Sequence, residues 1–328
     1  VDDNVDDNVH DRVGDTERAL AAQFAPVARR LDPQARLARV RRLAGGMSAQ
    51  ITVLELVRPD HDPQSSPDRV VVRQYGAKNV AADARPAATE TRLLSLLRAA
   101  GIPVPDPRLA DDSSQLLDGP YAVVGFVPGA GPAPIWSPTL AEQLVEVLVR
   151  LHQLDAGPVQ GWLRPYAARV DRWLARPAAE PDEPMRETAI RQVLGDWWPR
   201  RTELTPRILH GDYWPGNTMW AADRLLAVID WEDAAWGDQR SDLANIRLEL
   251  LWAYGWTACE DFTRRYRDAF ADLDFTDQPY WDLVAATRPV GRLAEWGLDP
   301  AGLESFLNQY QDFVDAALAE VGSRASRA

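Results

Sequence analysis

The sequence predicts an α+β fold in which a small antiparallel sheet precedes a larger, mainly helical region. Up to Val127 the apolar residues fall in short β-rich runs, parted by glycine, proline and polar stretches, with one clear internal helix. From Trp136 onward most apolar positions recur at helical spacing, and Pro128-Gly129 marks the change of texture. Composition bounds the answer. A chain of 328 residues with 46% apolar and 26% charged side chains can bury a real core, so global disorder is excluded.

The elements follow in order. Residues 1–8 repeat Val-Asp-Asp-Asn twice, and residues 1–15 carry six aspartates with no apolar face, so they are expected to be a disordered acidic tail. A signal peptide needs a basic start and an apolar run, and this stretch has neither. Residues 16–30 read as a helix, with Leu20, Phe24, Val27 and Leu31 on one stripe. Residues 39–43 and 51–57 read as strands joined by Ala44-Gly45-Gly46-Met47-Ser48, and residues 70–75 as a third strand. Leucines 93, 94, 96 and 97 mark a helix over 89–100, and residues 121–127 form a buried strand. The expected division is 16–127 for the first lobe and 128–328 for the second. In the second, helices are expected at 138–154, 166–174, 185–197, 242–254, 259–271, 279–293 and 302–321. Residues 208–231 interrupt them with short apolar runs, Gly, Pro and Asn. Clefts between lobes are preferred ligand sites.

Charge and cysteine content exclude whole classes. A net charge of −13 argues against a general nucleic-acid binder, because phosphate backbones want a basic face. The acid is concentrated late: residues 210–328 hold 21 Asp/Glu against 10 Arg, a balance that would attract a cationic ligand. No run approaches the length of a membrane span, so no membrane partner is expected. Cys259 is the single cysteine, which excludes a disulfide framework and a cysteine-built zinc site and fits a cytoplasmic location. Lys78 is the only lysine, so chemistry that needs a fixed cation must use it or an arginine.

The densest chemistry is Leu209-His210-Gly211-Asp212-Tyr213-Trp214-Pro215-Gly216-Asn217, followed by Val228-Ile229-Asp230-Trp231-Glu232. If residues 218–220 and 225–229 pair as a hairpin around Ala222-Asp223, Asn217 and Asp230 come to the same end. An amide oxygen beside a carboxylate suits Mg²⁺, which prefers oxygen ligands. Asp212 would face the space beside the metal. That arrangement fits phosphoryl transfer, with one carboxylate orienting the attacking hydroxyl while the metal neutralises phosphate charge.

His210-Gly211-Asp212 with Asn217, followed by Ile229-Asp230-Trp231-Glu232, resembles the aminoglycoside phosphotransferase and choline kinase family. The resemblance implies a protein-kinase-like two-lobe fold, with a small antiparallel-sheet N-lobe and a larger, mainly helical C-lobe. It also implies ATP and Mg²⁺ as cofactors and a small-molecule hydroxyl acceptor bound by the second lobe. By that resemblance Gly45, Gly46, Met47 and Ser48 cover the nucleotide phosphates. Arg73 takes the place of the phosphate-contacting base, Glu90 pairs with it, and Gly125, Phe126 and Val127 line the adenine. Asn217 and Asp230 hold the metal, and Asp212 is the catalytic carboxylate. Leu151-His152 and Gly237-Asp238 with Asp242-Leu243-Ala244 also match family segments, so the resemblance runs from about residue 43 to 246. The base on the third strand is usually lysine; Arg73 keeps the charge and can fork onto two phosphate oxygens.

The expected activity is therefore an ATP- and Mg²⁺-dependent O-phosphotransferase acting on a hydroxyl of an amine-bearing acceptor, such as an aminoglycoside or amino sugar. The alternative is a kinase-like nucleotide-binding protein with little or no catalysis. A metal-dependent hydrolase built on His210 and Asp212 lacks further histidines, since the chain has four. His152, His210, Asp238 and Asp242 are expected as braces, and Trp214 and Trp231 as flanks of the catalytic residues.

Overall fold

A computed structural model describes residues 6–43, 49–60, 62, 66–177 and 179–325, and the chain divides into two compact units at Pro128/Gly129. The phosphate-covering stretch expected from Gly45 to Ser48 lies outside the described residues, as do the first five residues.

In the first unit helix α1 (Asp6–Leu31) starts well before residue 16, within the stretch expected to be a tail. Once Phe24, Val27 and Ala28 are buried against the sheet, each further residue adds a hydrogen bond to a turn already nucleated. Strands β1 (Arg36–Leu43), β2 (Ala49–Val57) and β3 (Asp68–Tyr75) follow, then helices α2 (Ala77–Ala82) and α3 (Pro86–Ala99), then strands β4 (Pro107–Asp111) and β5 (Tyr121–Gly125). The sheet order is β1-β2-β3-β5-β4, antiparallel throughout. Strand β3 alternates, burying Val70 and Val72, while β5 buries Tyr121 to Val124 on both faces, which is why it reads as an unbroken apolar run. Edge strand β4 and short helix α2 have no sequence signal: neither has a period long enough to show.

The second unit contains α4 (Pro138–His152), α5 (Ala167–Leu174), α6 (Glu187–Trp197), α7 (Arg240–Tyr254), α8 (Trp256–Ala269), α9 (Gln278–Ala286) and α10 (Pro300–Ala325). Ser137 caps α4, its Oγ accepting from the Leu140 N–H at 3.2 Å. The core is aromatic, with Trp197, Trp198, Trp281, Phe306, Tyr310 and Phe313 packed among α6, α7, α9 and α10. Helix α9 stops at Ala286 rather than running to 293. Pro289 disfavours helical backbone at Arg288, and Gly291 turns at φ +68°, so Arg288 leaves the helix. Two small ribbons carry the segment from His210 to Asp233: β6 (Arg207–Leu209) with β9 (Ala235–Gly237), and β7 (Thr218–Ala221) with β8 (Arg224–Val228).

Candidate active site

The β7–β8 hairpin forms around Ala222-Asp223, with Thr218 opposite Val228. Beyond that pair the Ile229 N–H donates to the Asn217 carbonyl at 2.9 Å, so Asn217 and Asp230 sit at the same end of the ribbon. Asp230 itself has φ +65°, a left-handed conformation that re-aims the chain as the strand ends.

The loop from His210 to Asn217 is held from behind. Asp242, near the start of α7, accepts from the backbone N–H groups of His210 at 2.7 Å and Gly211 at 2.9 Å. His152, at the end of α4, meets Asp242 through Nε2 at 3.2 Å and the Tyr266 hydroxyl through Nδ1 at 2.7 Å. The ionised Asp242 carboxylate can only accept, so His152 Nε2–H points at it, and in the neutral ring Nδ1 accepts from the Tyr266 hydroxyl, whose oxygen also accepts from Gln239 Nε2. All these groups are buried. Burial works against the charged form of Asp242, but the His152 hydrogen bond and the two histidines and backbone donors around it hold its carboxyl below the usual range. His210 uses Nε2 on the Ile229 carbonyl at 3.0 Å and Nδ1 on the Asp212 N–H at 3.2 Å, which makes it a brace between the loop and β8. Gly211 has φ +79°, and a Cβ there would lie 2.1 Å from the Asp233 carbonyl oxygen, so only glycine fits.

Asp212 is the front of this loop and is half-buried. Asn217 Nδ2 donates to the Asp212 carboxylate Oδ2 at 3.0 Å and to its carbonyl at 2.9 Å. The amide nitrogen is thus turned to Asp212 and the amide oxygen away from it. Asn217 and Asp230, both bearing side-chain oxygens, thus lie at the same end of the hairpin.

Sequence reasoning missed the arginines around Asp212. Arg288, freed from α9, donates through Nη2 to Asp212 Oδ1 and through Nη1 to the Gly211 carbonyl, both at close range. Its Nη2 also reaches Asp233 Oδ2 at 3.4 Å. Arg164 grips the same stretch, with Nη2 at 3.0 Å from the Glu232 carbonyl and 3.3 Å from Asp233 Oδ1. Burial raises the Asp233 carboxyl, but Arg288, Arg169, Arg164 and Arg292 outweigh it and hold the group low. Glu249, on α7, is the opposite case: burial, and then the charge of Asp212, push its carboxyl up to about 8. No motif marks these positions; an Arg-Pro pair ending a helix is the faint signal for Arg288.

In the first unit Arg73 Nε lies 3.6 Å from Glu90 Oε1. The sequence did not single out Tyr75, whose hydroxyl donates to Glu90 Oε2 at 2.6 Å. Burial first, and then Glu90, push that phenol well above its ordinary range. The Gly125 N–H donates to the Asp106 carbonyl at 2.8 Å and the Phe126 N–H to the Arg69 carbonyl at 3.0 Å. The two flanking tryptophans differ. Trp231 is core, buried with its ring 4.4 Å from His210. Trp214 is half-buried and begins an aromatic row, 6.5 Å from Trp252, which is 6.1 Å from Trp296.

A profile of the phosphotransferase enzyme family (APH) matches residues 39–286. A homoserine kinase from Rhodospirillum rubrum is 33% identical over 231 residues, covering 64% of this chain and 70% of that protein. Mouse acyl-CoA dehydrogenase family member 10 is 28% identical over 216 residues, 58% of this chain, and the chain spans only 20% of that protein's length. Among solved structures, the GDP complex of aminoglycoside 2′-phosphotransferase-IIIa superposes with a TM-score of 0.61 at 18% identity, over 90% of this chain and 99% of that one. The fold is protein-kinase-like, with a five-stranded antiparallel sheet in one unit and a mainly helical other unit, as the sequence predicts. The chain belongs to the phosphotransferase enzyme family. Among the described residues no helix is long and apolar enough to cross a membrane.

Proposed function

We propose that the protein is an ATP- and Mg²⁺-dependent O-phosphotransferase acting on a hydroxyl of an amine-bearing small molecule. The observation that carries this reading is the grouping of Asp212, Asn217 and Asp230 at one end of the β7–β8 ribbon, with Asn217 fixed to Asp212 Oδ2 at 3.0 Å. In this reading Asp212 accepts a hydrogen bond from the acceptor hydroxyl and orients its oxygen toward the phosphorus. The new oxygen–phosphorus bond forms as the bond to the nucleoside diphosphate breaks, and the hydroxyl proton passes late to Asp212. Asn217 Oδ1 and Asp230 would hold Mg²⁺, whose bound charge offsets that of the phosphates. Arg73, beside Glu90, serves the nucleotide phosphates. Gly125 and Phe126 already spend their N–H groups, so within the adenine-lining run Val127 is the residue assigned the donor role.

The amine rests on Glu249 and on the excess of acid late in the sequence. The carboxyl of Glu249 is half-buried within the field of Asp212. An ammonium group beside it would draw the proton off and leave an ion pair. The names of relatives and neighbours, which include homoserine and aminoglycoside phosphotransferases, support a small hydroxylated acceptor. The test is an ATP-consumption screen with Mg²⁺ against amino sugars, aminocyclitols, choline and small hydroxy metabolites. At least one amine is expected to raise consumption well above the acceptor-free rate, and a flat response across the panel sinks the reading.

A second reading, a kinase-like nucleotide binder with little turnover, is favoured by one contact. Arg288 occupies Asp212 Oδ1, the oxygen opposite the one held by Asn217. Nucleotide binding by calorimetry with no hydrolysis and no transfer would establish it in place of the first.

A further inference from the structure

The charges around Asp212 leave one arginine over. Asp233 receives Arg164 on Oδ1 and Arg288 on Oδ2, and Asp212 receives Arg288 on Oδ1 and Asn217 on Oδ2. Both carboxylates of the loop are therefore spent. Arg169, on α5, lies within electrostatic range of Arg288, Asp233 and Asp212. It is half-buried, and its recorded partner is a ring: its guanidinium carbon stands 5.9 Å from the centre of the Tyr166 ring. Among the described residues its guanidinium makes no hydrogen bond or ion pair, while its backbone N–H donates to the Tyr166 carbonyl at 3.0 Å.

The scaffold under Arg169 is firm. The Tyr166 N–H donates to the Trp236 carbonyl at 2.9 Å, and the Trp236 N–H to the Arg164 carbonyl at 3.1 Å. This clamps the start of α5 to β9, the strand that begins two residues after Asp233. Arg164, which grips Glu232 and Asp233, and Arg169, five residues on, thus come from one anchored turn. Burial, and then the neighbouring charge of Arg288, act against the Arg169 cation and hold its ionisation below the ordinary range. A half-buried guanidinium pressed by a second guanidinium is stabilised by an anion, and a fork of N–H donors matches a carboxylate.

We infer that the acceptor carries, besides its hydroxyl, a carboxylate received by Arg169. The inference rests on the phosphotransferase reading. With Glu249 within range of the same Asp212, it narrows the acceptor to an amphoteric hydroxy compound: ammonium toward Glu249, carboxylate toward Arg169, hydroxyl toward Asp212. One unsatisfied arginine matches the single charge of a carboxylate better than the double charge of a phosphate monoester. The sites of all three groups belong to the helical unit.

The test uses matched acceptors that differ only in the acid: L-homoserine with L-homoserinamide, D-glucosaminic acid with its primary amide, and 4-hydroxybutyrate with 4-hydroxybutyramide. Wild type, R169Q and R169K are compared by kcat/KM in the ATP-consumption assay, after circular dichroism shows each variant folded. Wild type is expected to prefer at least one acid over its partner by tenfold or more. In R169Q that preference falls about tenfold or more through KM, toward parity, and R169K restores part of it. A wild-type preference for the amides, or a preference unchanged in R169Q, overturns the assignment. The second result also covers an Arg169 that touches the transferring phosphate, since both members of a pair would then lose equally. Consumption raised by uncharged or amine partners and by no acid overturns the Arg169 site alone. Consumption that no acceptor raises overturns the phosphotransferase reading beneath it.

Discussion

The catalytic loop has two faces, and an aspartate stands on each. Behind it, Asp242 is buried and receives fixed donors: two backbone N–H groups and a histidine, each with one geometry. In front, Asp212 is half-buried and is met by Arg288 and Asn217, long or rotatable side chains that can exchange for a ligand. The same carboxylate is a rivet where its partners belong to the backbone and is open to exchange where they belong to movable side chains. Burial decides which, because removing a partner from a sealed carboxylate leaves a charge that water cannot reach.

That contrast can be broken, and the largest effect is on turnover. Asp212→Ala should lower kcat by about 10³-fold or more, while calorimetry finds MgATP binding retained and thermal unfolding finds stability changed by no more than about 1 kcal/mol. Turnover within tenfold of wild type would remove Asp212 from the reaction. Asp242→Ala should do the reverse to the fold, costing about 3 kcal/mol in denaturant unfolding, because the N–H groups of His210 and Gly211 lose their acceptor inside the core. An unchanged midpoint would show that the loop holds itself.

A smaller effect separates the faces by pH. The carboxyl of Glu249 is raised from 4.5 to about 8, so the folded chain binds a proton there that the unfolded chain has released. Stability from this group is present at low pH and is lost as pH rises from about 5 toward 8. Glu249→Gln should remove that slope, gaining on the order of 3 kcal/mol relative to wild type at pH 8.5 and little at pH 5. Parallel unfolding curves for the two proteins across that range would show that Glu249 ionises freely. The smallest effect belongs to Arg164→Gln. Its ion pair with Asp233 is about two-fifths exposed on both sides, so the loss should stay within about 0.5 kcal/mol. A loss above about 2 kcal/mol would place Arg164 with the rivets.

Much of this was legible in one dimension. The hairpin that brings Asn217 and Asp230 together is written in an apolar run, a two-residue turn and a second run. The helices were legible wherever their buried stripe was long: α4 and α7 were found near their bounds, while α9 was extended past Pro289 because an apolar pattern outlasts the backbone that can follow it. Ribbon β6–β9 was missed because three residues show no alternation. The same holds at the site. Asp212 and Asn217 are five residues apart and share a loop, whereas Arg288 reaches Asp212 from 76 residues away.

By itself the sequence determined that Asp212, Asn217 and Asp230 come together, since a turn-rich segment with His, Gly, Asp and Asn at short spacing builds most of its own geometry. Only the tertiary structure decided the charge their oxygens feel. Arg164 with Arg169, Glu249, and Arg288 come from three separate segments, each ordinary in its own stretch of chain. They acquire meaning when the packing of α5 and the turn before it, α7, and the turn after α9 brings their charges into a region of reduced solvent screening, where Coulomb interactions strengthen as water is excluded.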